Sequence, residues 1–321
     1  MAITFNETTR IFTLTTAHTT YQMQADAQGY LLHLYYGART AGEMDYLLNY
    51  GDRGFSGNPN SAGSDRTYSL DALPQEYPSL GTGDFRNYAL NIENADGSQC
   101  CNPVYIIAAG KYTLKGLPFV RAEENEAETL KIILEDPVTK VELHLLYGVL
   151  EKEDIITRSV IIKNAGKAPV TVKKAQSACL DFLHGDYDLI KFYGRHAMER
   201  NMERMPVSHE STRIGSRRGT SSHQYNPGVI LAGKNTNEDS GSCYGMLFVY
   251  SGNFLVEAEK DQYDQTRIQM GLTDELFAYS LEAGAEFTAP EVILSYTNKG
   301  LSRLSQQYHH CIMNHVCQGK Y

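Results

Sequence analysis

Residues 129–177 read TLKIILEDPVTKVELHLLYGVLEKEDIITRSVIIKNAGKAPVTVKKAQS. Val141, Leu143, Leu145 and Tyr147 alternate with their neighbours, so they fall on one face of an extended chain. Asp136-Pro137 and Asn164-Ala165-Gly166 are turn signals on either side. The run predicts strands over 129–134, 141–150, 155–163 and 170–177. Their starts lie about ten residues apart with no helical period between them, which is the spacing of antiparallel β structure.

The same pattern extends outward. Upstream it predicts strands over 11–15, 20–24, 30–36 and 104–108. Downstream it predicts strands over 229–231, 242–250, 254–260, 267–270, 277–281 and 292–296. Residues 180–213 are polar and mixed, and GRHAMERNMERMP fits a short helix or a charged edge strand equally well. At the end the period changes. Leu301, Leu304, Tyr308, Cys311, Ile312 and His315 recur at three and four, an amphipathic helix with Gly319 as a C-cap. The expected fold is therefore all-β: one large antiparallel sandwich over 1–298, followed by a helical segment over 299–321.

Composition excludes several classes. Net charge is -9 and no run of lysine or arginine exceeds two residues, which argues against nucleic acid and anionic membrane surfaces as partners. No stretch approaches the roughly 20 apolar residues of a membrane-spanning helix. MAITFNETTR has neither a basic nor an apolar leader region. The six cysteines show no CxxC spacing and read as core thiols. Together these features predict a reduced, cytoplasmic protein.

Two stretches carry unusual chemistry. Residues 37–66 lose all period and contain GDRGFSGNPNSAGSDRT, a long loop with Asp52, Arg53, Phe55 and Arg66 spaced through it. Residues 216–227, SRRGTSSHQYNP, combine two arginines, four serine and threonine hydroxyls, a tyrosine, a histidine and two amides. Such a run is either a wet loop or a polar hub satisfied between packed layers. The hub reading pairs Arg217 and Arg218 with carboxylates or carbonyls, and has His223 and Asn226 satisfy loop backbone.

Candidate reaction chemistry is sparse. His223 beside Ser221 and Ser222 suggests a general base, but no GxSxG elbow accompanies it. His309, His310, Cys311 and His315 do not share one helical face, so no metal is predicted. No glycine-rich phosphate loop is present, and no cofactor is implied. Carboxylates are many (Asp52, Asp65, Asp71, Glu76, Asp84, Asp181, Glu199, Glu257 and Glu291), and in a β protein most are expected to be edge charges or arginine partners.

A set of motifs narrows the reading. HLYYG at 33–37, SDRTYSLD at 64–71, QEYPSLGTGDFR at 75–86, GLPF at 116–119, ITRSV at 156–160, SRRGTSSHQYNP, YGMLFVYSGNF at 244–254, PEVILSY at 290–296 and the final SRLSQQYH run in order along the chain. In this the chain resembles the N-terminal domain of glycoside hydrolase family 36 α-galactosidases of the raffinose and melibiose type. The resemblance implies a β-supersandwich with a C-terminal linker helix. It implies as a partner a (β/α)8 barrel that carries two catalytic aspartates in a retaining mechanism. Neither aspartate motif is in these residues, so the chain alone is expected to be catalytically incomplete.

The resemblance also implies a homo-oligomer, a tetramer, in which an N-terminal loop reaches a neighbour's galactose pocket. By motif, Asp52 and Arg66 would accept from and donate to sugar hydroxyls. The family pattern GAWxRER reads GRHAMER here, which puts His196 in the tryptophan position near the sugar. The implied ligands are α-galactosides. The alternative is a stand-alone carbohydrate-binding or assembly module.

Overall fold

The computed structural model describes residues 2–51, 65, 67–116 and 118–317. The chain opens with strands β1 (Ile3–Asn6), β2 (Ile11–Thr15), β3 (Thr19–Ala25) and β4 (Leu31–Ala38). Then come β5 (Leu90–Glu93), β6 (Val104–Ala108), β7 (Glu128–Glu135), β8 (Val141–Leu150), β9 (Ile155–Asn164) and β10 (Val170–Phe182). The second half holds β11 (Tyr187–Arg195), β12 (Met198–Pro206), β13 (Thr212–Gly215), β14 (Tyr225–Gly233) and β15 (Cys243–Phe248). It ends with β16 (Phe254–Lys260), β17 (Thr266–Leu272), β18 (Tyr279–Leu281), β19 (Glu286–Thr288), β20 (Val292–Thr297) and α1 (Gly300–Cys311).

Among the described residues these strands form three sheets. The first is a meander, β1-β2-β3-β4. The largest runs β12-β11-β14-β15-β20-β9-β8-β7-β6, with β19 also paired to β9. The third runs β13-β16-β17-β10-β18, with β5 also on β10. All strand pairings are antiparallel, from Val141↔Asn164 to Leu150↔Ile155 in the central β8–β9 pair. The all-β expectation holds.

The alternation in the opening stretch is what builds the core. Val141, Leu143, Leu145 and Tyr147 are all buried. They join one apolar cluster with Phe12, Leu14 and Met23 of the meander, and with Leu180, Val256 and Met270 of the third sheet. Burial at about 25 cal/mol per Å2 of apolar surface makes this cluster the main source of stability. Its continuity across all three sheets makes one packed body of them.

Two strands explain the undecided stretch at 180–213. β11 and β12 form a hairpin from Asp188↔Pro206 to Arg195↔Met198. β12 is the outermost strand and most of its residues are exposed on both faces. An edge strand solvated on both faces carries no alternation, so neither period could be read from it.

The terminal helix packs on the large sheet, with Leu304 and Cys311 buried beneath it. Tyr308 lies directly over Gly245 of β15, where any β-carbon would collide with the ring. The Tyr308 hydroxyl donates to the Ile293 carbonyl at 3.1 Å. Past Cys311 the helix widens into a π turn, Ile312–Val316. The proposed C-cap, Gly319, lies outside the described residues.

Candidate functional site

Asp52 and Arg66, the two loop residues expected to meet a sugar, lie outside the described residues. The chain on either side of that segment is described, and its two ends meet. Tyr50 stacks on Tyr68 with ring centroids 6.3 Å apart and planes 22° apart. The Tyr68 hydroxyl donates to Asp26 Oδ2 at 2.6 Å. Burial raises the Asp26 carboxyl above its ordinary range, against the pull of its hydrogen bonds from Tyr68 and from the Tyr30 and Gln28 amides. Leaving the segment, Asp65 caps Thr67, accepting from its amide at 2.8 Å and its hydroxyl at 2.7 Å.

Immediately downstream the chain is anchored by buried charge. Arg267 Nη2 donates to Asp84 Oδ2 at 2.8 Å and to Asp181 Oδ2 at 2.6 Å. Arg86 Nε donates to Asp84 Oδ1 at 2.9 Å, and Arg86 Nη2 donates to the Leu70 and Leu73 carbonyls at 2.9 and 2.7 Å. The Gln75 amide donates to Asp181 Oδ2 at 3.0 Å. Burial alone would raise the Asp84 carboxyl. The guanidinium groups of Arg267 and Arg86 outweigh it and hold that carboxyl below the ordinary range. Irregular residues 70–86 are thus fixed by side chains rather than by a strand ladder.

A second buried centre lies between the meander and the large sheet. Glu76 Oε1 accepts from Tyr21 at 2.6 Å and Tyr147 at 2.9 Å, and pairs with Arg158. His33 Nδ1 sits 3.1 Å from Glu76 Oε2. Facing a carboxylate, that nitrogen carries the proton. Burial again works against ionisation, and Arg158 again overrides it, so Glu76 stays below the usual carboxylate range. Both centres rest on residues of QEYPSLGTGDFR and ITRSV. Of the carboxylates expected to be edge charges or arginine partners, Glu76, Asp84 and Asp181 have buried arginine partners.

The structure corrects the reading of residues 216–227. They form no buried hub. Arg217 is 77% exposed at its side chain and pairs with Glu275. Among the described residues Arg218 has no acidic partner, and the Asn226 amide nitrogen is buried without a hydrogen bond. His223 is exposed and makes no bond to Ser222, whose hydroxyl accepts from the Gln224 amide at 3.2 Å. No serine–histidine pair is assembled here. A dense polar run signals exposure in this case, and the hub forms from residues far apart in sequence.

That run instead lines an open groove of about 450 Å3 where the large sheet and the third sheet diverge. Tyr193 and Tyr225, register partners across β11 and β14, line it together with Arg213, Arg217, Arg218 and Glu275. Both tyrosines are exposed. The groove offers flat aromatic faces beside guanidinium donors and a carboxylate acceptor, a combination suited to polyhydroxylated ligands. His196 lies at the tip of the hairpin that carries Tyr193. It is exposed in a two-residue turn in which Ala197 takes a φ of 62°. A solvent-exposed turn position constrains the side chain little, so His196 is free to meet whatever approaches the hairpin.

The sequence matches the Glycosyl hydrolase family 36 N-terminal domain over residues 29–282. It is 65% identical to the bifunctional alpha-galactosidase/sucrose kinase AgaSK of Mediterraneibacter gnavus, over 100% of this chain and 35% of that protein. The solved galactosidase domain of an alpha-galactosidase-sucrose kinase superposes with a TM-score of 0.96 at 64% identity, covering 100% of this chain and 45% of the other. A variant of alpha-galactosidase AgaA from Geobacillus stearothermophilus, solved in complex with raffinose, superposes with a TM-score of 0.92 at 39% identity, covering 96% of this chain and 44% of the other. The chain spans less than half the length of each of these proteins.

Proposed function

The chain belongs to glycosyl hydrolase family 36 as that family's N-terminal domain, and on that premise we propose that it serves an α-galactosidase. The reaction is hydrolysis of terminal α-galactosides such as melibiose and raffinose. In this reading both catalytic aspartates lie in a (β/α)8 barrel, within the part of the relatives that this chain does not span. The sandwich contributes assembly of a homo-oligomer and one wall of the galactose pocket. Asp52 accepts from sugar hydroxyls, Arg66 donates to them, and His196 approaches from the hairpin. The enzyme works in the cytoplasm. Domain 1–298 is the sandwich, and 299–321 carries the helix toward the barrel.

The observation that carries this reading is identity of 65% over the whole chain to a named α-galactosidase. The experiment is hydrolysis of a chromogenic α-galactoside by the 321-residue chain and by the same chain joined to a family barrel. No turnover is expected from the first, and turnover from the second. Turnover by the first that is lost with one of its own carboxylates would overturn the reading. In the joined protein, Asp52→Ala and Arg66→Ala are expected to raise KM more than they lower kcat.

The groove beside Tyr193 and Tyr225 favours one further reading, a carbohydrate-binding module that acts without chemistry. Titrating the chain with raffinose decides it. Binding at millimolar sugar that is lost in Tyr193→Ala, Tyr225→Ala supports the module, and no binding leaves assembly and the pocket wall as its roles.

A further inference from the structure

Glu291 is a fully buried carboxylate that has no cationic partner among the described residues. It lies between β19 and β20, at the point where a strap, residues 112–116 and 118–122, crosses the large sheet. Its amide donates to the Pro118 carbonyl at 2.8 Å, and its carbonyl accepts from the Val249 amide at 2.8 Å. Its Oε2 accepts from the Val120 amide at 2.7 Å. One residue thus bonds the strap twice.

The strap in turn clasps the helical end. The Arg121 amide donates to the His315 carbonyl at 2.8 Å, and His315 Nδ1 lies 2.9 Å from the Arg121 carbonyl. Facing a carbonyl, that nitrogen must be the donor. Beneath the strap lies a satellite apolar cluster of Leu114, Val120, Leu150, Ile155, Val249, Ile293 and Cys311, which joins strap, sheet and α1.

The polar groups around the Glu291 carboxyl are few. Glu291 Oε1, the Thr157 hydroxyl and the Tyr112 hydroxyl are each buried without a well-formed hydrogen bond among the described residues. Tyr112 comes from the strap and Thr157 from β9. Burial pushes the Cys311 thiol of α1 up to about 12, with the negative charges of Glu153 and then Glu291 adding to it. Arg158, the guanidinium that acts on Tyr112, is committed to Glu76. His315 and Arg121 meet through the backbone clasp. None of these groups neutralises a negative charge on Glu291.

We infer that Glu291 is a proton-operated latch: neutral, it holds the strap onto the helical end, and ionised, it lets the strap lift away. A neutral carboxyl keeps one oxygen for the Val120 amide and carries no charge that needs a cation. An ionised one would be an unpaired charge inside an apolar cluster. Burial pushes the Glu291 carboxyl up to about 8, with the Thr157 hydroxyl and the Val120 amide pulling it part of the way back. Lifting the strap exposes it to water, where it ionises near 4.3. The raised value means that the latched state binds the extra proton. Latching is complete below that solvated value and weakens as pH rises through the window up to about 8.

The test is hydrogen exchange of the strap amides in the 321-residue chain from pH 5 to 9.5, corrected for intrinsic chemical exchange, with β8 amides as the measure of global opening. The strap opening constant is expected to rise about tenfold per pH unit across the window and then level off. In Glu291→Gln, which keeps an acceptor for Val120, it is expected to be flat. Thr157→Val removes a group that holds the carboxyl down, so its plateau is expected to start at higher pH. A Glu291→Gln profile that follows wild type overturns the latch, as does a strap that opens only together with β8. Should Glu291→Gln not fold, Thr157→Val decides alone: an upward shift of the plateau supports the latch and an unmoved plateau sinks it.

Discussion

Arg267 reaches Asp84 and Asp181 with a single guanidinium nitrogen, at 2.8 and 2.6 Å, though the three residues come from an irregular loop, β17 and β10. That one group fastens the irregular segment after Arg66 to the third sheet. All three side chains are almost fully buried. Removing Arg267 leaves two buried carboxylates with Arg86 as their remaining guanidinium, and breaking a buried pair in this way costs about 3–5 kcal/mol. Arg267→Met should lower the urea unfolding free energy by that amount. Replacing Arg86, Arg267, Asp84 and Asp181 together with apolar residues should cost less than Arg267→Met alone. A single substitution costing under about 1 kcal/mol would show that the pairing is incidental.

Acid acts on the same groups. Asp84 and Glu76 are held below their ordinary values by arginines, so in the folded state they give up their protons more readily than in the unfolded chain. Their contribution is complete above about pH 4, the unfolded carboxylate range, and is lost as pH falls through the folded values. Thermal unfolding midpoints should drop steeply below pH 4. The drop should be shallower in Asp84→Asn, which has one fewer such carboxylate. Equal slopes in the two proteins would mean that Asp84 takes up no extra proton on unfolding.

The contact between Gly245 and Tyr308 sets how closely the helix lies on the sheet. Gly245→Val puts a branched side chain under the ring, and overpacking of this kind costs about 1–3 kcal/mol. Combining it with Tyr308→Ala should recover part of that loss, because the ring is what the new side chain meets. Additive losses in the double variant would separate the two residues energetically.

His196 occupies an exposed turn, so its replacement should cost little. His196→Trp is expected to leave stability within about 0.5 kcal/mol. In the chain joined to a family barrel it should change KM for raffinose and leave kcat near its starting value. A changed unfolding midpoint with unchanged KM would assign His196 to the hairpin and not to the sugar.

What the sequence revealed follows from where each element lies. β8 was legible because Val141, Leu143, Leu145 and Tyr147 alternate toward the shared core, and β9 because a short run rich in branched apolar residues between turn signals reads as a strand even when both of its faces are largely buried. β12 was not, because an edge strand open on both faces has no buried side to mark. β5, β13 and β19 have three or four residues each, too few to show a period. The buried charge centres were half legible. Asp84, Asp181 and Glu76 were among the many carboxylates expected to be edge charges or arginine partners, but nothing marked which arginine each would meet, and Arg267 lies 86 residues from its partner Asp181 in the chain. No local spacing announces a pairing at that separation. The polar density at 216–227 misled for the complementary reason, since residues that need water can crowd together wherever water reaches them.

The stacking of Tyr50 on Tyr68 closes the base of the segment that contains Asp52 and Arg66. An aromatic pair of this kind is worth about 0.5–1.5 kcal/mol beyond its buried area. Tyr50→Ala should therefore cost little in global stability, since Tyr50 is partly exposed and lies outside the main core. Its effect should fall on the segment. In the chain joined to a family barrel, on the proposal that Asp52 and Arg66 meet the sugar, Tyr50→Ala is expected to raise KM for raffinose several-fold with kcat nearly unchanged. Tyr50→Phe keeps the ring and should restore the original KM. Failure of Tyr50→Phe to do so would mean that the Tyr50 hydroxyl, not its stacking on Tyr68, sets KM.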